Sequence, residues 1–291
     1  MSQITAADVK KLRELSGAGM MDCKKALNET DGNIDAAVDY LRKKGLSAAS
    51  KKAGRVAAEG IVATLTEGGK GVVLEVNSET DFVSKNDKFV NFVNAVSRTI
   101  LDKNPADVDA LKALDFDGEL TVEQALSQLI ATIGENMSIR RFERIDVAGV
   151  AAAYVHGAGK IGVLVGIEGD LDEATARGVA MHVAAANPQY ISRDDVDAEA
   201  VAREKAVLSE RAMASGKPAE IVDKIVGGQL NKFYSDVCLL EQDFVMDTDK
   251  KVGKAIGKAS IVSMARFQLG EGIEKEESDF AAEVAAQVKG A

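Results

Sequence analysis

Residues 61–76 read IVATLTEGGKGVVLEV, two runs of β-branched and aliphatic residues on either side of a Glu-Gly-Gly-Lys connection. Such runs, joined by a short connection that contains Gly, predict a β-hairpin. From Asp87 onward, apolar residues recur at the spacing of one helix face: Phe89, Phe92, Val93 and Val96. A hairpin followed by an amphipathic helix predicts an α+β fold, in which helices cover one face of an antiparallel sheet.

The same order of elements recurs further along the chain. Residues 150–167 read VAAAYVHGAGKIGVLVGI, and an acidic loop and a helical stretch through Val179 and Val183 follow them. At an offset of 91 residues, Gly71 of the first hairpin falls on Gly162 of the second. Internal similarity of this kind indicates a duplicated unit. We therefore expect a duplicated α+β core made of two related subdomains with antiparallel sheets.

Helix-capping residues mark the starts and ends of helices in the N-terminal part of the chain. Thr5 and Asn33 are good N-caps, and Gly17 and Gly45 are expected to end the helices that these caps begin. A second helix between them carries an apolar stripe: Met20, Cys23 and Leu27. Residues 46–55 are small, polar and basic, which favours a helical or flexible linker. The sequence thus predicts a compact module of three short helices.

Further helical segments follow the second hairpin. Residues 195–214 and 219–233 predict an antiparallel helical hairpin with its turn at 215–218, and its thin apolar seam indicates that it projects from the body. The residues of that seam are Val201, Leu208, Ala212, Ile221, Val222, Ile225, Val226 and Phe233. The last segment holds a strand-like stretch, 261–269, and an amphipathic helix capped by Ser278.

These elements divide the chain into four parts. They are residues 1–55, a helical domain with its linker; 56–145, core subdomain N; 146–270, core subdomain C with the inserted helical hairpin 195–234; and 271–291, a C-terminal module. Between the two hairpin repeats, residues 105–136 are expected to be helical with charged faces.

The composition is that of a globular protein and disfavours several function classes. The chain has 36 basic and 46 acidic residues, a net charge of −10, and 46% hydrophobic residues. Because phosphate binding depends on clustered Lys and Arg, direct nucleic-acid binding is disfavoured, and so is binding to an anionic membrane surface. No run approaches the ~20 apolar residues of a membrane span, and no secretory signal is recognisable. We therefore expect a cytoplasmic protein.

Few residues are available for catalytic chemistry. Cys23 and Cys238 lie too far apart in sequence for a metal-binding motif. Of the two histidines, His156 adjoins a hairpin turn and is expected to be a surface or packing residue, and His182 is expected to be a hydrogen-bonded core residue. Residues 157–162 match GxGxxG, but a strand follows instead of a helix, so a hairpin turn is expected. The sequence predicts no enzyme activity, no catalytic residue, no bound metal and no cofactor.

The loop after the first hairpin has two interpretations. Residues 77–85 read NSETDFVSK. In the first interpretation Thr80 or Asp81 caps a turn and Phe82 packs into the core. In the second, an aromatic ring beside a carboxylate forms a rigid wedge that enters a pocket of a partner. The second repeat has no aromatic residue at the corresponding place, where residues 171–173 read LDE. The pattern alone leaves both interpretations open.

Three motifs carry a resemblance to a known family. Residues 17–27 read GAGMMDCKKAL; residues 74–77 read LEVN and lead into TDFV at 80–83; and residues 271–275 read EGIEK, followed by DFA at 279–281. In this order they resemble the signatures of the elongation factor Ts family, which are bacterial guanine-nucleotide exchange factors for elongation factor Tu. The likeness spans nearly the whole chain.

The resemblance implies an architecture that agrees with the division above. It implies a ubiquitin-associated-like N-terminal module, a duplicated core, a protruding helical hairpin and a C-terminal helix. The chain departs from the family pattern in small ways. Ser16 stands where the family often has threonine, and Ser78 and Glu79 replace a frequent Cys-Gln pair, a change that we expect to be harmless. Residues 102–122 form a longer segment than in short members of the family.

The resemblance also implies roles for individual residues. Thr80, Asp81, Phe82 and Val83 resemble the element that enters near the partner's nucleotide site and helps to displace Mg²⁺, with Phe82 as the wedge. The remaining matches to partner contacts are Arg13, Met20, Met21, Ile133, Gly134, His156, Val245 and Met246. Arg13, Met20 and Met21 match contacts to the partner's nucleotide-binding domain, and His156 matches a contact to a different domain. The implied partner is elongation factor Tu, both GDP-bound and nucleotide-free.

Two other functions remain as alternatives. The chain would be a scaffold or holdase if it held proteins without affecting nucleotides. It would be a nucleotide-using enzyme if residues 157–162 bound a phosphate. The sequence also leaves open whether one or two copies of each protein form the complex, a 2:2 assembly being one outcome, and what the hairpin 195–234 does.

Overall fold

The computed structural model describes residues 4–214 and 219–274. The N-terminal helices are α1 (Ala6–Ser16), α2 (Met20–Glu29) and α3 (Ile34–Lys52). There follow β1 (Glu59–Glu67), β2 (Lys70–Ser78), α4 (Asp87–Lys103), α5 (Val108–Ala113), α6 (Val122–Ile133) and β3 (Met137–Asp146). The rest comprises β4 (Val150–His156), β5 (Ile161–Glu168), α7 (Glu173–Ala186), α8 (Ala198–Met213), α9 (Ala219–Val237), β6 (Asp243–Phe244), β7 (Asp247–Lys251), α10 (Val252–Ala255) and β8 (Ser260–Gln268). Short 3₁₀ turns occur at Val83–Lys85, Arg193–Asp195 and Leu239–Glu241.

The predicted α+β fold with antiparallel sheets is confirmed. The strands form two three-stranded antiparallel sheets, in the orders β1-β2-β3 and β4-β5-β8, and a small sheet of β6 and β7. Each larger sheet has one register shift, between Glu75 and Val76 in the first and between Gly166 and Ile167 in the second. The two shifts lie 91 residues apart, which is the offset of the sequence repeat. Strand β3, at 137–146, was not among the predicted elements.

Glycine allows the two larger sheets to approach each other closely. A Cβ atom on Gly71 would lie 2.4 Å from Leu164 Cδ1, and one on Gly162 would lie 2.4 Å from Val62 Cγ1. Any side chain at these positions would overlap the opposite sheet. The residues buried between the sheets are Val62, Val73, Ile145, Ala151, Leu164, Ala265 and Phe267.

Helices cover the outer faces of both sheets. The apolar face of α4 is buried as predicted, with Phe89, Phe92, Val93 and Val96 all in the first core. Residues 105–136 contain two helices, α5 and α6, in agreement with the predicted helical character, but the buried face of α6 is apolar and not charged. Helix α6 packs that face on the sheet, because its buried side chains join the same core as α4. Helix α7 covers the second sheet in the same way, and α10 adds Val252 to the same core.

Three predicted helix boundaries in the N-terminal part are confirmed, the Thr5 and Asn33 caps and the Gly17 end, and the predicted end at Gly45 is wrong. Thr5 caps α1 in a capping box with Asp8, and Gly17 ends it in the left-handed conformation with φ 64°. Helix α3 continues through Gly45 to Lys52. Gly45 faces α6, where a Cβ would lie 3.7 Å from the Ser127 carbonyl oxygen. The close helix contact thus outweighs the weak helix propensity of glycine.

Two expected core side chains are exposed instead. Met20 was assigned to the apolar stripe of α2, but it is 59% exposed, whereas Cys23 and Leu27 are buried. Ile221 was assigned to the seam of the helical hairpin, but it is 47% exposed. The core of that hairpin is formed by the buried residues Leu208, Ala212, Val222 and Val226. The predicted turn at 215–218 and the predicted C-terminal helix with its Ser278 cap lie outside the described residues.

Candidate partner-binding site

The 79–83 loop presents an aromatic ring to solvent. Phe82 is 80% exposed and Asp81 is exposed beside it, whereas Val83 is buried in the first core. The interpretation that packs Phe82 into the core is therefore wrong. Val83 packs into the core in place of Phe82 and thereby anchors the loop. An exposed aromatic ring next to a fixed anchor residue is typical of a side chain that binds a pocket of another protein.

Hydrogen bonds fix the backbone on both sides of Phe82. The backbone N–H of Thr80 donates to Glu135 Oε2 at 2.9 Å, and its hydroxyl donates to Glu135 Oε1 at 2.7 Å. After the ring, the Ser84 hydroxyl donates to the carbonyl oxygen of Asp81 at 2.6 Å. The loop is thus ordered by its own chain, with the ring pointing away from the body.

The same bonds bring two predicted contact segments together. Glu135 directly follows Ile133 and Gly134, so its bonds to Thr80 place these residues beside the 79–83 loop. Gly134 ends α6 with φ 92°, a left-handed conformation that favours glycine. Gly134 is exposed, and Ile133 is partly buried against the first core. Glu135 was not predicted, because no local pattern marks a residue whose partner lies 55 positions away.

The N-terminal helices present a second group of predicted contacts. Arg13 on α1 is exposed, and Met20 and Met21 at the start of α2 are 59% and 77% exposed. The flexible, polarisable methionine side chain suits an adaptable protein contact. The loop between the two helices contacts the core where Lys88 Nζ on α4 donates to the Gly17 carbonyl oxygen at 3.3 Å.

Residues around Glu79 join the end of the N-terminal part to the 79–83 loop. Asn136 donates its backbone N–H to Glu79 Oε1, and its side-chain amide donates to the Arg55 carbonyl oxygen at 2.7 Å. Arg55 also forms an ion pair with Glu79 at 3.4 Å. The carboxylate that replaces the frequent glutamine therefore has a charged partner here, whereas a glutamine oxygen could accept the same two donors without the opposite charge.

The second half of the chain presents the remaining predicted contacts. His156 lies at the end of β4 and is exposed, with Nδ1 at 3.2 Å from the Tyr154 hydroxyl. Val245 and Met246 lie between β6 and β7 and are 42% and 60% exposed. These three residues thus present one polar and two apolar side chains to solvent in the second half of the chain.

His182 holds the Val245 backbone from inside the protein. Its side chain is buried, Nε2 lies 2.9 Å from Gln242 Oε1, and Nδ1 accepts the Val245 N–H at 3.2 Å. These partners assign the proton to Nε2 of a neutral ring. Burial lowers the pKa of His182, against the opposing effects of Gln242 and the charge of Asp243. The expectation of a hydrogen-bonded core histidine is confirmed.

Acidification is expected to destabilise the protein through His182. Because the folded ring resists protonation, the unfolded chain takes up the proton first as the pH falls below about 6.5, and stability is lost from there downward. We expect a loss of about 1 kcal/mol between pH 7.5 and 5.5 from this group. Urea unfolding of the wild type and of His182→Gln at both pH values measures the difference. His156→Gln, which retains His182, serves as control, and an identical pH dependence in all three proteins would contradict the expectation.

The GxGxxG match forms a turn, as predicted. Gly157, Ala158 and Gly159 have positive φ values of 61°, 54° and 94°, and strand β5 follows directly. In residues 4–214 and 219–274, no three His, Cys, Asp or Glu side chains are grouped to hold a metal ion. None of the helices in the same part of the chain is long and apolar enough to span a membrane.

The fold and these side chains define a class of protein. An ordered α+β body that presents an exposed aromatic ring and exposed methionines is suited to contact with another protein. Comparison with known sequences identifies the family to which the chain is similar. A sequence model of the family described as Elongation factor TS matches residues 79–271.

Full-length relatives agree with that match. Elongation factor Ts of Syntrophotalea carbinolica is 55% identical over 302 residues, which cover 99% of this chain and 100% of the relative. The protein of the same name from Magnetococcus marinus is 53% identical over 99% of both chains. That of Paramagnetospirillum magneticum is 56% identical over 99% of this chain and 98% of its own. The chain belongs to the elongation factor Ts family of translation elongation factors.

Proposed function

We propose that this chain is a cytoplasmic guanine-nucleotide exchange factor that binds elongation factor Tu, both GDP-bound and nucleotide-free, and promotes release of GDP so that GTP can reload. The observation that carries the proposal is the ring of Phe82, 80% exposed on a loop fixed by hydrogen bonds, in a member of the elongation factor Ts family. Exchange forms and breaks no covalent bond, so this chain needs no nucleophile or general base for it.

The proposed mechanism is a free-energy coupling between two binding events. If binding of this chain weakens the grip of the partner on GDP by some factor, GDP weakens the binding of this chain by the same factor. Phe82 and Asp81 would enter near the partner's nucleotide site and displace the groups that hold Mg²⁺. Loss of Mg²⁺ removes the largest positive charge beside the phosphates, and a displaced phosphate-binding loop loses its fixed N–H donors.

The other predicted contact residues would hold the partner while the loop acts. Arg13, Met20 and Met21 are proposed to contact the nucleotide-binding domain of the partner, with Ile133 and Gly134 beside the 79–83 loop. In the second half of the chain, His156 is proposed to contact a different domain of the partner, and Val245 and Met246 are proposed as further partner contacts. Contacts at both ends of the chain would keep the loop pressed against the nucleotide site.

One experiment tests the proposed function directly. Elongation factor Tu loaded with fluorescent GDP is mixed with this chain and excess unlabelled GDP, and the loss of fluorescence is followed by stopped flow. We expect release to accelerate with increasing concentration of the chain until it saturates. Pull-down of elongation factor Tu without acceleration would favour a scaffold or holdase, and binding of labelled GDP or ATP by the chain alone would favour a nucleotide-using enzyme. Light scattering on the same complex measures whether it holds one or two copies of each protein.

A further inference from the structure

We propose that Glu135 is a positioning residue for nucleotide exchange: its carboxylate acts through Thr80 to fix the direction in which Phe82 projects. The inference rests on the proposed function, because it assigns a task to a residue of the same site. Neither the sequence motifs nor the comparisons assign a role to Glu135. Its role follows from the contacts of the described residues, one step at a time.

The ring of Phe82 has little packing of its own to hold it. At 80% exposure, its position depends on the backbone at either side. On one side Val83 is 4% exposed and anchored in the first core. On the other side the only side chain that bonds to the N–H and hydroxyl of Thr80, in the hydrogen bonds of residues 4–214 and 219–274, is Glu135. The Ser78 hydroxyl also donates to the Thr80 carbonyl oxygen at 2.9 Å. Among the hydrogen bonds of the described residues, Glu135 therefore supplies the contact that ties Thr80 to a distant segment of the chain.

Both oxygens of that carboxylate are used. Glu135 Oε2 accepts the Thr80 N–H at 2.9 Å, and Oε1 accepts the Thr80 hydroxyl at 2.7 Å. Hydrogen bonds to an ionised acceptor are shorter and stronger than those between neutral groups, and two of them fix an orientation as well as a distance. The neighbouring residues repeat the pattern in the opposite direction, because the Asn136 N–H donates to Glu79. Two loops therefore exchange carboxylates and amides reciprocally.

The second half of the chain folds without this arrangement. At the offset of 91 residues, Thr80 corresponds to Leu171, which has no side-chain donor, and the next residue, Asp172, caps α7 by accepting the Thr175 N–H at 2.9 Å. Glu135 lies two residues before β3, and the residue two before β8 is Lys258, which carries the opposite charge. The pairing is therefore not a requirement of the fold. It occurs only where a loop presents an exposed aromatic ring.

The direct test is Glu135→Gln in the full chain, assayed by stopped-flow release of fluorescent GDP from elongation factor Tu. An amide at this position keeps one acceptor oxygen and turns an N–H₂ donor toward a second donor, so one of the two bonds is lost. We expect the release rate at saturating concentration to fall about tenfold, equivalent to about 1.4 kcal/mol. The concentration giving half-maximal rate should change little, because the surface that contacts the partner is retained. Glu123→Gln, an acidic residue at the other end of α6, is the charge-matched control.

If Glu135 had only a structural role, its substitution would affect the release rate independently of the Phe82 ring. In the double variant Glu135→Gln/Phe82→Ala, release should be no slower than in Phe82→Ala alone, because there is no ring left to position. Additive slowing would overturn the proposal. The Thr80 amide should also exchange faster with deuterium in Glu135→Gln than in the wild type, without any partner present, and unchanged exchange would overturn the proposal as well.

The outcomes separate this inference from the function on which it rests. If the wild type fails to accelerate release, the proposed exchange function is wrong, and this inference fails with it. If the wild type is active and Phe82→Ala is slow while Glu135→Gln retains the full rate, exchange stands and the positioning role of Glu135 is refuted. Circular dichroism and thermal unfolding of Glu135→Gln verify that the protein is folded before either conclusion is drawn.

Discussion

Replacement of Glu75 with alanine should lower the free energy of unfolding by about 2–4 kcal/mol. Glu75 on β2 is fully buried, and its carboxylate accepts from Arg140 at 2.9 Å, from Arg141 Nε at 2.7 Å and from the Gly270 N–H at 2.8 Å. The Asn77 side-chain amide is a fourth donor, to Glu75 Oε1 at 3.2 Å, and alanine would leave all four donors without this acceptor. The loss falls below the ~3–5 kcal/mol of a wholly buried pair, because the side chains of Arg140 and Arg141 remain 25% and 32% exposed and reach water.

Glu143→Ala is the matched control for this prediction. Glu143 lies two residues from Arg141 on β3, but its side chain is exposed to solvent. The same change of residue should therefore alter stability by no more than about 0.5 kcal/mol. Urea unfolding at pH 7 compares the two variants with the wild type. Equal stability losses in both variants would mean that the ion pairs of Glu75 contribute nothing specific.

The pH dependence gives a second measurement on Glu75. Burial alone would raise the pKa of this carboxyl, but the bonds from Gly270, Arg140 and Arg141 outweigh burial, so its pKa lies below the ordinary value of 4.5. The stability that the carboxylate contributes is therefore present above about pH 4.5 and is lost as the pH falls through the lower folded pKa. The stability difference between the wild type and Glu75→Ala should shrink over that acidic range.

The ion pairs of Glu75 belong to one sheet and not to its counterpart. The register shift that follows Glu75 recurs at Gly166 in the second sheet, where Ser263 is the strand partner in place of Arg141. Burying a carboxylate costs desolvation energy, and the second sheet forms without one. The buried carboxylate is therefore not a general requirement of this duplicated fold. In the first sheet the Glu75 carboxylate joins β2, which leads into the 79–83 loop, to Gly270 after β8. Its partner Arg141 donates to the Gln268 carbonyl oxygen at the end of β8.

Local sequence patterns predicted the elements that are determined by residues close together in sequence. The Thr5 cap with its box, the Gly17 end of α1 and both hairpins depend on residues within a few positions of each other, and each is found as predicted. Helix α3 passes Gly45 because of its contact with α6, some 80 residues away in sequence, which no window around Gly45 contains. The bonds of Glu135 and Glu75 escaped prediction for the same reason.

The 79–83 loop shows most clearly what a local sequence pattern cannot predict. Phe82 and Val83 are adjacent apolar residues, and either is a reasonable core residue by composition. The structure buries Val83 and exposes Phe82, and the Thr80 bonds to Glu135 hold the backbone before the ring. Glu135 lies 55 positions away, and the core that Val83 enters is also formed by distant residues, so the local pattern left two interpretations open.

Phe82→Ala should slow the release of GDP from elongation factor Tu about thirtyfold while leaving this chain folded. Truncation of an aromatic residue at an interface commonly costs ~2 kcal/mol or more, which corresponds to a factor of about thirty. Because the ring is 80% exposed in the free chain, its removal deletes almost no internal contact, and the free energy of unfolding should change by less than about 0.5 kcal/mol. Stopped-flow release at equal concentrations of wild type and variant measures the first effect, and urea unfolding the second.

Val207→Ala is the control that distinguishes the wedge from exposed apolar surface in general. Val207 lies on α8 and is 56% exposed, but it is not among the proposed contacts. We expect its variant to release GDP at the wild-type rate. If Phe82→Ala also retained that rate, the ring would take no part in exchange. Slowing by both variants alike would instead point to a general loss of partner affinity, because a wedge acts at one position only.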